Sequence, residues 1–146
     1  IGVGGRMDSI QCAVVLAKLK RFDWELERRI EIGNHYNATL SRHMATMRIK
    51  PDRSCVYAQY TVRALDRPAF EARLKDLGVP TAVHYPMALH KQPAYAALAA
   101  GAVCPNAERL AREVISLPMH PYLTQADQDR IIDAVTRASD PRVARG

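Results

Sequence analysis

Cys55-Val56-Tyr57-Ala58-Gln59-Tyr60-Thr61-Val62-Arg63-Ala64 begins the pattern that predicts the architecture of this chain. The pattern continues with a helical stretch over residues 66–78 and then with Pro80-Thr81-Ala82-Val83-His84-Tyr85-Pro86. Apolar and polar side chains alternate through residues 55–64, which predicts a strand with one buried face. Asp66 can cap the following helix and Gly78 can end it. The inward side chains are expected to be Val56, Ala58, Tyr60, Val62 and Ala64 of the strand, and Phe70, Leu74 and Leu77 of the helix. A second strand over residues 81–85 would complete a strand–helix–strand unit, whose crossover normally makes the strands parallel.

The second strand ends at a pair of residues that can bind a ligand. Pro80 restricts the backbone before it, and Pro86 lacks the N–H that a central strand would need next. His84 and Tyr85 therefore come at the end of the predicted strand, where an imidazole and a phenol can reach a ligand. The alternative is a buried His–Tyr pair whose polar atoms bond to the backbone.

The rest of the chain is mainly helical. Helices are predicted over residues 8–20, from Asp23 to about residue 40, over 89–100, over 106–115, and after a cap at Thr124. This pattern divides the chain into a linker with long interface helices (1–45), a small α/β domain (46–139) and a polar tail (140–146). The fold class is α/β, with a small α+β domain and a long N-terminal helical arm.

Composition excludes several classes of protein. The 146 residues, 48% hydrophobic and 25% charged, are enough for about one globular domain. The net charge of +6 does not indicate nucleic-acid binding, because the basic residues are interspersed with acidic ones. No apolar run is long enough to span a membrane. Three separated cysteines fit reduced thiols in the cytoplasm, and Cys12 and Cys104 are expected in the core.

Common catalytic motifs are missing from the sequence. The glycines at 2, 4 and 5 do not form a dinucleotide fingerprint, the five histidines show no zinc-binding spacing, and no serine lies in a nucleophile elbow. No metal site is predicted. Arg6 follows Gly5 just before a helix, where its guanidinium can present two N–H groups to a carboxylate or phosphate. An exposed surface arginine without a ligand is the alternative.

Five segments, taken together, resemble one enzyme family. They are Gly2-Val3-Gly4-Gly5-Arg6-Met7-Asp8-Ser9-Ile10-Gln11-Cys12-Ala13, Val56-Tyr57-Ala58-Gln59-Tyr60-Thr61, Gly78-Val79-Pro80-Thr81-Ala82-Val83-His84-Tyr85-Pro86, His90-Lys91-Gln92-Pro93-Ala94-Tyr95 and Ser116-Leu117-Pro118-Met119-His120-Pro121. In this order they resemble the C-terminal part of the DegT/DnrJ/StrS-type nucleotide-sugar aminotransferases, from residue 2 to about residue 138. Within that family the chain is most similar to enzymes that aminate C3 of a UDP-linked 2-acetamido-3-oxo-glucuronic acid for bacterial surface polysaccharide (lipopolysaccharide O-antigen).

The resemblance implies a pyridoxal-phosphate enzyme with the aspartate-aminotransferase fold (fold type I). It implies a cytoplasmic homodimer that takes an amino group from L-glutamate and passes it to a UDP-sugar, with no nucleic-acid or membrane partner. The chain starts without a Met and is expected to be a piece of a longer protein. The family's Schiff-base lysine would precede residue 1, so this chain is expected to hold no catalytic residue, to leave the cofactor unbound and to be inactive alone.

The resemblance also implies roles for four residues. Arg6 matches the arginine that holds the sugar carboxylate, and His84 and Tyr85 match residues that reach the substrate. Gly4 stands where the family usually has an asparagine that contacts the cofactor phosphate of the neighbouring subunit, so only a backbone N–H is left for that contact. A non-catalytic binding domain of the same fold is the alternative function.

Overall fold

The computed structural model describes residues 4–139. The elements are α1 (Ser9–Leu19), α2 (Phe22–Leu40), β1 (Tyr60–Arg63), α3 (Arg67–Asp76), two short 3-10 helices (Leu89–Lys91 and Pro93–Tyr95), α4 (Pro105–Glu113), β2 (Val114–Leu117) and α5 (Gln125–Ser139). The tail predicted for residues 140–146 lies outside the described residues, and the division of the chain into three regions stays a prediction.

The sheet inserts β2 between the two predicted strands, which run in the same direction because both pair antiparallel to β2. β1 and β2 pair antiparallel, with Tyr60 opposite Leu117 and Arg63 opposite Val114. The strand predicted over residues 81–85 is reduced to one antiparallel bridge, between Ala82 and Ser116. Residues 114 and 115, predicted as the end of a helix, begin β2 instead. They are β-branched and lie next to β1, so strand pairing outweighs the helical pattern that precedes them.

The first half of the strand predicted over residues 55–64 is irregular. β1 starts only at Tyr60, Val56 is exposed, and Tyr57 is buried with a φ of 45°. This left-handed backbone at Tyr57 breaks the alternation, so the Tyr57 ring turns inward where an outward side chain was expected. From Tyr60 to Ala64 the predicted alternation is correct, because Tyr60, Val62 and Ala64 are all buried.

Helix ends largely follow the predicted signals. The Asp8 carboxylate accepts from the Gln11 amide, which completes the capping box of α1. Asp66 accepts from the Ala69 amide at the start of α3, and Thr124 exchanges hydrogen bonds with Asp127 at the start of α5. The Ala-rich segment 89–100 forms only two 3-10 turns and no regular α-helix.

The core lies between α2, α3, α5 and the sheet. Its largest fully buried side chains are Tyr36, Tyr60, Ile32, Leu40, Leu74, Ile115, Val62, Val79 and Val135. The α1 helix contributes nothing to this core, since all its side chains are exposed, including Ile10 and Leu16. Cys12 and Cys104 are also exposed, so their predicted place in the core is wrong.

A close approach between α2 and Tyr57 explains the glycine within α2. A Cβ at Gly33 would overlap three ring carbons of Tyr57. The ring has little room to move, because its hydroxyl accepts from Asn37 Nδ2 at 2.9 Å and donates to Asn34 Oδ1 at 3.3 Å. Glycine inside a helix costs about 1 kcal/mol relative to alanine, so this contact accounts for its presence.

We expect Gly33→Ala to lower the free energy of unfolding by about 1 to 2 kcal/mol, because overpacking against Tyr57 outweighs the gain in helix propensity. Urea denaturation measures the change. Gly5→Ala is the control, since a Cβ there meets no atom within 4 Å, and it should alter stability by less than about 0.5 kcal/mol. A Gly33→Ala variant as stable as the parent would contradict the role of this contact.

Candidate active-site groove

A groove lies along the outer edge of β2, where the segment that carries His84 joins the sheet. The Ala82 amide donates to the Ser116 carbonyl at 3.1 Å, and the Ser116 amide donates back at 2.7 Å. These two bonds hold residues 80–84 beside β2. The groove has a volume of about 300 Å³ and is lined by residues 58–59, 80–82, 84 and 116–119. We call it the His84 groove.

His84 and Tyr85 are both solvent-exposed. Their rings meet edge to face with centroids 5.7 Å apart, across a cis peptide bond. Tyr85 is 71% exposed, so the alternative of a buried, satisfied His–Tyr pair is wrong. The imidazole and the phenol are available to a ligand, as the predicted site requires, although the strand expected to carry them is a single bridge.

Arg6 and Gly4 lie on the extended segment before α1 and are both exposed. Within residues 4–139 Arg6 makes no hydrogen bond or ion pair, and no described contact joins it to His84 or Tyr85. The predicted site residues are therefore not brought together as one cluster by the described contacts. A Cβ at Gly4 would meet no atom within 4 Å, so the replacement of asparagine by glycine leaves open space there.

The residues that hold the His84 groove in shape were missed in the sequence. Asn37 on α2 donates to the Tyr57 hydroxyl and accepts from the Tyr60 hydroxyl at 2.7 Å. Burial raises the pKa of Tyr60 and of Tyr36, so both stay neutral and act as hydrogen-bond donors. One pattern in the sequence could have indicated these contacts: Asn34 and Asn37 are three residues apart, on the face of α2 that carries Gly33.

A second polar cluster ties the segment after the groove to α4. His90 Nε2 lies 2.9 Å from Glu108 Oε1, and Lys91 Nζ lies 3.6 Å from the same oxygen. The hydrogen bond to His90, aided by Lys91, lowers the pKa of Glu108 from its ordinary value of 4.5. The family resemblance marks residues 90–95, but only the structure shows that Glu108 anchors them.

The surroundings of the lysines bear on where a Schiff base with pyridoxal phosphate could form. All five lysines, at positions 18, 20, 50, 75 and 91, are exposed. Lys91 lies beside Glu108. Lys75 lines an open pocket that also contains Glu71 and no second cation. Neither arrangement provides an enclosed lysine next to a phosphate cradle. Across residues 4–139, no three His, Cys, Asp or Glu side chains converge as metal ligands, and no helix is long and apolar enough to cross a membrane.

Comparison with known proteins establishes the family. Residues 1–136 match the DegT/DnrJ/EryC1/StrS aminotransferase family, and the chain belongs to it. It is 43% identical over 137 residues to the UDP-2-acetamido-2-deoxy-3-oxo-D-glucuronate aminotransferase of Pseudomonas aeruginosa, covering 93% of this chain and 38% of that enzyme. It is 32% identical over 139 residues to the dTDP-3-amino-3,6-dideoxy-alpha-D-galactopyranose transaminase of Aneurinibacillus thermoaerophilus, again covering 93% and 38%.

Solved structures show the same fold. The Streptomyces venezuelae DesV structure, in complex with a ketimine intermediate, matches with a TM-score of 0.88 at 33% identity, covering 95% of this chain and 38% of that one. A DegT DnrJ EryC1 StrS aminotransferase from Brucella abortus matches with a TM-score of 0.84 at 37% identity, covering 92% and 36%. The predicted family and its fold type I architecture are confirmed. The chain spans a little over a third of the length of these relatives.

The Glu108 contact predicts how stability depends on pH. Because the folded state lowers the pKa of Glu108, its contribution is present above the ordinary value of 4.5 and is lost as the pH falls through the folded value. Glu108→Gln should therefore flatten the decline in the free energy of unfolding on the acid side of about pH 5. Urea titrations from pH 7 to pH 3 measure it. Glu71→Gln, at an exposed glutamate of α3, is the control and should keep the parent's slope; equal slopes for parent and Glu108→Gln would contradict the prediction.

Proposed function

We propose that this chain is the C-terminal part of a cytoplasmic, homodimeric aminotransferase that uses pyridoxal phosphate. It moves the amino group of L-glutamate to C3 of a UDP-linked 2-acetamido-3-oxo uronic acid, for bacterial surface polysaccharide such as lipopolysaccharide O-antigen. The observation that carries the proposal is the 43% identity, over 93% of the chain, to an enzyme named for that oxo-glucuronate. The exposure of Arg6, His84 and Tyr85 supports it, because a ligand can reach all three.

Each side chain has a distinct part in this proposal. The planar guanidinium of Arg6 would hold the planar sugar carboxylate through two parallel charge-assisted hydrogen bonds. His84, which lines the His84 groove, and the adjacent Tyr85 would orient the part of the sugar that uronic and neutral substrates share. Gly4 would offer its backbone N–H toward the cofactor phosphate of the neighbouring subunit. The cofactor supplies the electron sink for amino transfer when it is bound.

The 146-residue chain alone should form no covalent adduct with pyridoxal phosphate, because none of its exposed lysines lies in an enclosed site. The full-length enzyme should form one that borohydride traps on a single lysine outside this chain. Mass spectrometry of the reduced samples distinguishes the two. A stoichiometric adduct on any of the five lysines of this chain would overturn this part of the proposal.

Arg6→Ala in the full-length enzyme should cost about 2 to 4 kcal/mol of transition-state binding for the uronic acid, the scale of removing one partner of a buried charge pair. It should cost much less for the 6-hydroxymethyl sugar, which has no carboxylate to pair. The measurement is kcat/KM for both sugars.

His84→Ala is the comparison for Arg6→Ala and should weaken turnover of both sugars, since His84 is assigned to their common part. Arg53→Ala, at a surface arginine paired with Asp52, should change neither. An equal loss on the two sugars with Arg6→Ala would show that Arg6 does not read the carboxylate.

A further inference from the structure

Three backbone carbonyls converge on one nitrogen of Arg29. Arg29 Nη1 shares its two N–H groups among the carbonyls of Tyr57 at 3.2 Å, Ala58 at 3.4 Å and Met119 at 3.5 Å. Arg29 lies on α2, so it reaches two chain segments that are far apart in sequence. A cation shared by three carbonyls ties those segments to each other and to the helix.

The segments that Arg29 joins belong to the His84 groove. Ala58 and Met119 both line it. Tyr57 comes directly before Ala58, and Pro118 comes directly before Met119. The last register pair of the sheet is Tyr60 with Leu117. Residues 57–58 and 119 therefore lie just past the ladder, where no further strand hydrogen bonds hold the two segments together.

The backbone on this side of the groove needs external support. Tyr57 has a φ of 45°, a conformation uncommon for a residue with a Cβ. It costs on the order of 1 kcal/mol, which contacts with the surroundings must offset. Asn34 and Asn37 hold its hydroxyl, and Arg29 holds its carbonyl. Tyr36 adds a bond from its hydroxyl to the Pro118 carbonyl at 3.2 Å. All these supports come from α2.

The groove that results has a particular chemistry. Gln59, Thr81 and His84 line it, and within residues 4–139 their side chains make no hydrogen bond to protein. No Lys or Arg is among the described lining residues, so the groove suits hydroxyl and amide groups better than phosphates. An acetamido sugar ring carries such groups, whereas the diphosphate of a nucleotide sugar would lack a cationic partner there.

We propose that Arg29 is a positioning residue of a substrate subsite, the His84 groove, which takes the uncharged acetamido-sugar portion of the substrate. The assignment of the ligand rests on the proposed function. Arg29 touches no substrate; it keeps residues 57–58 and 119 at the spacing that lets Gln59, Thr81 and His84 contact one ring.

The test compares two neighbouring arginines in the full-length enzyme. Arg29→Ala should raise KM for the UDP-sugar about tenfold, with a smaller change in kcat. Without Arg29, residues 57–58 and 119 would shift, and the polar side chains of the groove would bind the sugar less tightly. Arg28→Ala is the matched control: Arg28 also donates to a carbonyl, that of Leu123, which does not line the groove. Arg29→Lys should restore part of the KM, since an ammonium also offers several protons to converging carbonyls.

Hydrogen exchange gives a readout that does not need activity. Amide exchange in peptides covering residues 55–61 and 116–122 should be faster in Arg29→Ala than in the parent or Arg28→Ala, with melting temperatures of the two variants alike. Unchanged exchange there, or a KM shift no larger than that of Arg28→Ala, would overturn the inference. A parent enzyme inactive on the UDP-sugar would instead overturn the proposed function, while faster exchange in Arg29→Ala would still support the positioning role.

Discussion

The side-chain amide of Asn37 connects α2 to the sheet, and the positions of the other groups around the His84 groove depend on this connection. It accepts from the Tyr60 hydroxyl and donates to the Tyr57 hydroxyl, so one residue of α2 fixes both the start of β1 and the irregular segment before it. Tyr60 is fully buried, and a buried hydroxyl without a partner would cost about 1 to 3 kcal/mol. The position of α2 against the sheet is thus set by polar pairing as well as by apolar packing.

From that junction the geometry of the groove follows. α2 supplies Arg29, Asn34, Asn37 and Tyr36, each of which bonds to a segment at one end of the two-stranded sheet. At the other end, Arg63 pairs with Glu113 through Nε at 2.8 Å and joins β1 to the end of α4. A sheet of only two short strands is only marginally stable alone, so these hydrogen bonds from the flanking helices stabilise it.

The α1 helix presents the opposite situation. Its capping box is complete, yet every side chain is exposed, including the large apolar Ile10, Val14, Leu16 and Leu19. An apolar face of this kind on a well-capped helix is typical of a surface that meets other protein. Arg6 lies just before this helix, in the same exposed segment.

Local signals in the sequence determined the helix starts after Asp8, Asp66 and Thr124, the end of α3 before Gly78 and the buried face of residues 60–64. By resemblance, the sequence also identified the family. Capping, alternation and short motifs depend on neighbouring residues alone. Tertiary structure decided the antiparallel pairing of β1 with β2, the inward turn of Tyr57 and the convergence of carbonyls on Arg29. Those features join residues 20 to 90 positions apart, and the free energy that selects them comes from contacts between segments. Gly33 illustrates the difference: by its sequence it is only a weak point in a helix, and the Tyr57 ring beside it, 24 positions away, supplies the reason that no side chain fits there.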